Sequence, residues 1–110
     1  MSGAGGEVVV VLTNLPDLAA ARKLAQLLVE QRLAACVNVL AECSSVYRWQ
    51  GRVETATEVP VLIKTSAARY PELEAEIRKR HPYEVPEIIA WPIVHGWPAY
   101  LQWVEEESTP

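Results

Sequence analysis

The sequence predicts an α+β fold of the ferredoxin-like class, an antiparallel sheet with two helices packed on one face. Three observations predict it. A β-branched run followed by an amphipathic helical pattern occurs in both halves of the chain, in the order of a split βαβ unit. A glycine turn between the halves indicates a long β-hairpin. The 110 residues, 50% hydrophobic and 22% charged, suit one domain with a single core.

The first half begins with a strand and continues as a helix. Residues 8–13 are β-branched or apolar and uncharged, as in a central strand. Asn14 is a candidate N-cap, with Pro16 near the first helical turn. Apolar residues then recur at helical spacing and predict an amphipathic helix to about Arg32.

The middle of the chain predicts a long hairpin. Residues 35–50 form one limb, Gln50 and Gly51 the tight turn, and residues 52–65 the return limb. Pro60 removes a backbone donor, so this part should be a sheet edge or a bulge. Cys36 and Cys43 would lie about 23 Å apart on one extended limb, at about 3.3 Å per residue, so we expect free thiols.

The second half repeats the same order, with the return limb of the hairpin followed by a helix and then a strand. Tyr70, Leu73 and Ile77 mark a second helix that ends near residue 80. The proline-rich connector at 81–88 leads into a strand at 87–95, in which Pro92 again demands an edge or a bulge. A short terminal helix follows residues 96–98. We expect a flexible tail at 1–6, one domain at 7–107, and a solvated segment from 105 that ends as a tail at 108–110.

One sheet face would lack a cover in this arrangement. Leu62, Ile89, Trp91 and Ile93, together with a protruding hairpin, would expose a larger apolar patch than a monomer usually tolerates. The pattern therefore predicts an oligomer.

Composition excludes several classes of function. The net charge of −4 disfavours non-specific binding to nucleic acid or to anionic membranes. The predicted return strand has no aromatic residues for base stacking in its central part at 59–64, and no glycine-rich phosphate loop occurs. The sequence contains no Ser-His-Asp or Cys-His arrangement at a spacing that would indicate an enzyme. With no apolar run long enough to cross a bilayer and no signal-like start, we expect a cytoplasmic protein.

Four blocks of the chain, in order, resemble the signature segments of the CutA family: residues 34–38, 45–51, 58–65 and 81–88. The resemblance implies ferredoxin-like protomers in a tight homotrimer similar to the PII signalling proteins. It also implies a link to divalent cation tolerance, copper especially, in bacteria. Animal relatives are linked to acetylcholinesterase anchoring.

A weak metal site is the first candidate for function. Some bacterial relatives carry a proposed copper-binding cysteine after the first strand, but the matching residue here is Thr13, a poor copper ligand. The remaining candidates are His81 with Glu84 and Glu87. The alternative for His81 is a cationic helix stop that complements the helix dipole.

The second candidate is a small-ligand pocket between subunits. Its predicted residues combine aromatic, charged and titratable side chains: Tyr47, Trp49, Glu58, Lys64 and Tyr83, with His81 and Glu87. Packing of these residues in a trimer interface is the simpler alternative. The sequence thus predicts a non-catalytic trimer that binds copper, another divalent cation or a small ligand weakly. A structural or PII-like signalling hub that binds an unknown partner protein without metal is the rival.

Overall fold

The computed structural model describes residues 7–110, so the predicted tail at 1–6 lies outside the described residues. The chain order confirms the predicted βαββαβ arrangement with a terminal helix. The elements are β1 (Val8–Leu15), α1 (Leu18–Glu30), β2 (Cys36–Val39), β3 (Cys43–Trp49), β4 (Arg52–Ser66), a 3-10 turn (Ala67–Arg69), α2 (Tyr70–Arg80), β5 (Ile88–Pro92) and α3 (Pro98–Glu107).

The long strand β4 organises an antiparallel sheet. β1 pairs with its inner half along one edge, and β5 pairs with the free edge of β1. β2 and β3 pair one after the other with the opposite edge of β4. On the edge of β4 that pairs with β2 and then with β3, Pro60 lies in the gap between these two partner strands. Its carbonyl accepts from Leu40 N–H on that edge. The predicted irregularity is therefore this interruption between two partner strands. Pro92 lies in the edge strand β5, as predicted.

The core lies between the sheet and helices α1 and α2. Alternate residues of β1 and β4 face the helices, because successive side chains of a strand point to opposite sides. Val11, Val61 and Ile63 are fully buried there against Leu28 of α1 and Ile77 of α2. The alternation in the sequence therefore predicted the core face correctly.

The ends of the elements correct two predictions. Asp17, not Asn14, is the N-cap of α1, and its carboxylate accepts from Ala20 N–H at 2.8 Å. Asn14 lies in β1, which ends at Leu15, beyond the predicted end of the strand at residue 13. The hairpin turn is confirmed, with φ values of 52° at Gln50 and 81° at Gly51. Two successive residues at positive φ are typical of a type I′ turn.

The second face of the sheet is only partly covered. α3 packs across one end of it, where Val104 contacts Val8 and Ala35. Farther along, Ile89 and Trp91 are exposed, as the sequence predicted. Leu62 and Ile93, predicted to belong to the same exposed patch, are partly buried, and Ile93 packs against the cluster around Val104.

The chain end is more ordered than the sequence suggested. α3 continues through Glu107, past the predicted start of the solvated segment at residue 105, and Ser108 is fully buried. The Arg32 guanidinium donates to the carbonyls of Glu106 and Thr109, which caps the C-terminus of α3. The segment is exposed at Glu106, Glu107, Thr109 and Pro110, as predicted, but it is helical through Glu107 and anchored at the buried Ser108.

Candidate functional site

A cleft of ≈ 830 Å³ lies between the hairpin and the connector that follows α2. Most of the residues proposed from the sequence meet in it. The residues that line the cleft are Asn14, Ser45, Val46, Tyr47, Trp49, Ala56, Glu58, Tyr83, Glu84, Val85 and Glu87.

The hairpin forms the floor of the cleft. The β3–β4 register pairs Cys43 with Glu58 and Ser45 with Ala56. Because alternate residues share a face, Tyr47 and Trp49 follow on the same side as Glu58. The predicted combination of an aromatic floor and a carboxylate therefore arises from strand pairing.

The connector at 81–87 forms the wall, and His81 holds it in place. The His81 backbone N–H donates to Ile77 O at 2.8 Å and ends α2, which confirms the predicted helix stop. The ring turns away toward β1, with Nε2 at 2.6 Å from Asn14 O. Since a carbonyl only accepts, Nε2 carries the proton. Nδ1 then accepts from Tyr83 N–H at 3.2 Å.

This geometry corrects the interpretation of His81 as a cation at the helix end. Its ring is buried, and burial lowers the pKa of His81, although the Asn14 carbonyl and the Glu58 charge act in the opposite direction. A neutral ring with both nitrogens engaged by the backbone links α2, β1 and the connector. His81 is thus a latch for the wall of the cleft.

Glu58 and Tyr83 set the electrostatics of the cleft. Glu58 is only 8% exposed, although it lies at the cleft surface. Burial of the phenol and its interaction with the Glu58 carboxylate raise the pKa of Tyr83 to about 12, with smaller effects from Tyr47 and Asp17. Tyr83 therefore keeps its proton at neutral pH, beside a buried carboxylate.

Asn14 positions a second carboxylate. Its Nδ2 donates to Glu87 Oε1 at 3.0 Å, so the end of β1 orients a side chain of the connector. Glu84 and Glu87 are both exposed at the cleft rim. The cleft thus combines one buried carboxylate with two that are open to water.

The predicted metal residues do not form a compact ligand set. Glu84 and Glu87 line the cleft, whereas both nitrogens of His81 are occupied, so a metal would have to displace a backbone partner. Within residues 7–110, no three His, Cys, Asp or Glu side chains are grouped closely enough to hold an ion. Thr13 is fully buried.

Lys64 is not part of the cleft. It lies six residues along β4 from Glu58, or about 20 Å at 3.3 Å per residue. There it pairs with Val10 and Cys36 across the strands and donates to Asn38 Oδ1. The sequence correctly places both residues on one face of a strand, but the length of the strand separates them.

Sequence reasoning missed five cleft residues: Asn14, Ser45, Val46, Ala56 and Val85. Ser45 and Ala56 follow from the hairpin turn, since the turn alone determines which residues lie opposite each other. Asn14 could not be found this way, because its contact with Glu87 spans 73 positions in the chain.

Comparison with known proteins agrees with this fold. The family model described as CutA1 divalent ion tolerance protein matches residues 9–107. The chain is 46% identical over 99 residues to the divalent-cation tolerance protein CutA of Thermus thermophilus, covering 90% of this chain and 96% of that one. It is 42% identical to Protein CutA of Mus musculus, covering 96% of this chain but only 61% of the mouse protein.

Solved structures give the same result. CutA from Xylella fastidiosa superposes with a TM-score of 0.91 at 40% identity, covering 94% of this chain and 99% of that one. The Thermus thermophilus protein superposes with a TM-score of 0.89 at 45% identity, covering 91% and 97%. The fold and the cleft thus define a ferredoxin-like α+β protein with a cleft between its long hairpin and the connector after α2. The chain belongs to the CutA1 divalent ion tolerance protein family.

None of the helices within residues 7–110 is long and apolar enough to cross a membrane. Relatives differ in their named compartments, since one is called chloroplastic in Arabidopsis thaliana and another periplasmic in Archaeoglobus fulgidus.

Proposed function

We propose that this chain is a non-catalytic, cytoplasmic homotrimer that supports tolerance of divalent cations, copper in particular, by binding a cation weakly at the cleft. One observation carries the proposal: the fold brings Glu58, Glu84 and Glu87 to a single cleft in a chain of the divalent ion tolerance family. Carboxylate oxygens bind divalent cations without selecting copper strongly. Within residues 7–110 no three such side chains are close enough to hold one ion, so coordination by one or two of these carboxylates at a time agrees with weak binding.

The cleft chemistry supports a binding role rather than catalysis. Ser45 is the only aliphatic hydroxyl among the described residues that line it, and no His or Cys lines it to act as a base or nucleophile. Because His81 is locked to the backbone on both nitrogens, it is not positioned to move a proton for a bound molecule.

The exposed apolar surface supports the trimer. Ile89 and Trp91 on the open sheet face, with Trp103 on α3, are large apolar side chains in contact with water in a single protomer. Packing against further copies would cover this surface. Sedimentation equilibrium should give three times the monomer mass of 12.2 kDa, whereas a stable monomer would contradict this part of the proposal.

The metal proposal is tested by calorimetric titration with Cu²⁺ at neutral pH. Glu58→Gln should weaken binding, because it removes the buried carboxylate but keeps the shape of the side chain. Glu42→Gln, on the exposed link between β2 and β3, is the matched control and should leave affinity unchanged. His81→Gln should weaken binding less than Glu58→Gln does, because it loosens the wall of the cleft but removes no carboxylate. If His81→Gln loses copper binding and Glu58→Gln does not, the metal ligand is His81 and not Glu58.

A second function, a signalling or structural hub for a partner protein, is favoured by one feature. The link between β5 and α3 exposes Val94 and Trp97, which are 72% and 75% accessible. Apolar side chains on an exposed loop suit protein contacts. If trimers bind no copper but a Trp97→Ser variant loses a partner that the parent retains, the hub is the function.

A further inference from the structure

We propose that the cleft recognises a small organic cation, an ammonium or guanidinium group carried on an apolar body. This inference rests on the proposed binding role of the cleft and names the class of ligand. It is carried by three independent features of the cleft: its charge, its aromatic surface and its size.

The charge of the cleft selects a cation. Of the residues that line it, all within 7–110, Glu58, Glu84 and Glu87 are acidic, and none is Lys, Arg or His. Glu58 is nine-tenths buried, yet it takes part in none of the salt bridges found among the described residues. A buried carboxylate without a counter-charge is unfavourable. A cationic ligand would supply that charge, whereas an anion would be repelled.

The aromatic surface selects an organic cation over a bare ion. Tyr47 and Trp49 lie on the same strand face as Glu58 and remain 44% and 39% exposed, so their rings are accessible. Ammonium and guanidinium groups bind favourably over such rings, and Trp is the best partner. A hydrated metal ion would use the carboxylates and leave the aromatic rings without a role.

Size and the remaining lining complete the match. The volume of ≈ 830 Å³ lies within the range of about 300–1,000 Å³ that is typical of small-molecule sites. Val46, Ala56 and Val85 provide apolar contacts for a ligand body. Tyr83, on the connector, stays protonated at neutral pH beside Glu58, so its phenol adds no positive charge to the cleft.

Three probes with one shared ring test the inference at pH 7: benzylammonium, neutral benzyl alcohol and anionic benzoate. Calorimetry on the full-length assembly should show benzylammonium binding about tenfold or more tightly than the alcohol, with benzoate weakest. NMR titration should move the indole N–H signal of Trp49 and leave that of Trp97 unchanged. Equal affinities for the three probes, or no binding of benzylammonium, would overturn the inference.

Two variants with controls locate the site. Glu58→Gln should reduce benzylammonium affinity about tenfold and leave benzyl alcohol unchanged. Trp49→Leu should weaken benzylammonium, whereas Trp97→Leu, outside the cleft, should not. An unfolding curve for each variant separates lost binding from lost folding. Benzylammonium binding that persists in a folded Glu58→Gln variant would contradict the proposed site.

The copper titration keeps this inference separate from the proposed function. If copper binds and depends on Glu58 while benzylammonium does not bind, the organic-cation inference fails and the metal proposal stands. If benzylammonium binds and copper does not, the metal proposal fails and the inference stands.

Discussion

The two halves of β4 show how one strand can serve two purposes. The inner half, residues 59–65, buries Val59, Val61 and Ile63 beneath α1 and α2. The outer half, residues 52–58, pairs only with β3 and exposes Val53 and the floor of the cleft. Both halves are regular antiparallel strand. Their different roles therefore come from what packs on them rather than from their conformation.

The position of Glu58 explains how the cleft holds a buried carboxylate. Glu58 is the last residue of the outer half, immediately before the buried Val59. It is covered by the connector that His81 anchors, not by the apolar helices. A polar wall tolerates a carboxylate that the core beneath α1 and α2 would not.

The largest expected effect comes from truncating the same side chain in each half. Val61→Ala should lower the free energy of unfolding by about 2 kcal/mol, because it removes two methyl groups from a fully buried site. Val53→Ala, where the side chain is 65% exposed, should cost about 0.5 kcal/mol or less. Urea unfolding of both variants measures the difference.

A comparable loss of stability in Val53→Ala would contradict the difference between the two halves of β4. Such a result would mean that the outer half is buried against another copy of the chain. Repeating the measurement at several protein concentrations would identify that burial, since dissociation depends on concentration.

The next effect concerns two buried threonines on the helix side of the sheet. Thr65 donates to Leu33 O at 2.7 Å, whereas the Thr13 hydroxyl has no hydrogen-bond partner within residues 7–110. Thr13→Val should therefore raise the free energy of unfolding by about 1 kcal/mol. Thr65→Val should lower it by a similar amount. If Thr13→Val is destabilising, the hydroxyl makes a contact that stabilises the folded chain.

The smallest effect concerns the His81 latch and its pH dependence. Because burial lowers the pKa of His81 below its ordinary value, the unfolded chain binds a proton first as the pH falls. The stabilisation is complete above about pH 6.5 and is lost as the pH falls through that value toward the folded pKa. The melting temperature should therefore fall between pH 7.5 and pH 5.5.

Variants of the two histidines isolate this effect. His81→Gln should weaken the dependence of the melting temperature on pH, whereas His95→Gln, at an exposed position, should leave it unchanged. Identical pH profiles for the parent and for His81→Gln would rule out the latch as the titrating group. The outer half of β4 should lose stability together with the His81 contacts as the pH falls, since the connector forms the wall above it.

Local patterns predicted a large share of this protein. Alternation along residues 59–65 gave the buried face, helical spacing gave α1 and α2, and Gln50 with Gly51 gave the turn. The hairpin turn also placed Tyr47, Trp49 and Glu58 on one surface, because the register of the two strands follows from the turn. These features depend on neighbours in the chain, so the sequence by itself determined them.

Contacts between distant segments were decided only by the tertiary structure. His81 contacts Asn14 across 67 positions, and Arg32 caps α3 across 74 or more. No local pattern shows that an imidazole will be buried neutral against a strand, or that a charged chain end will be ordered by a distant arginine. Hydrogen bonds of this kind depend on where the packed elements bring backbone groups together. That packing placed Lys64 outside the cleft. It also placed His81 where its ring holds the wall of the cleft in position.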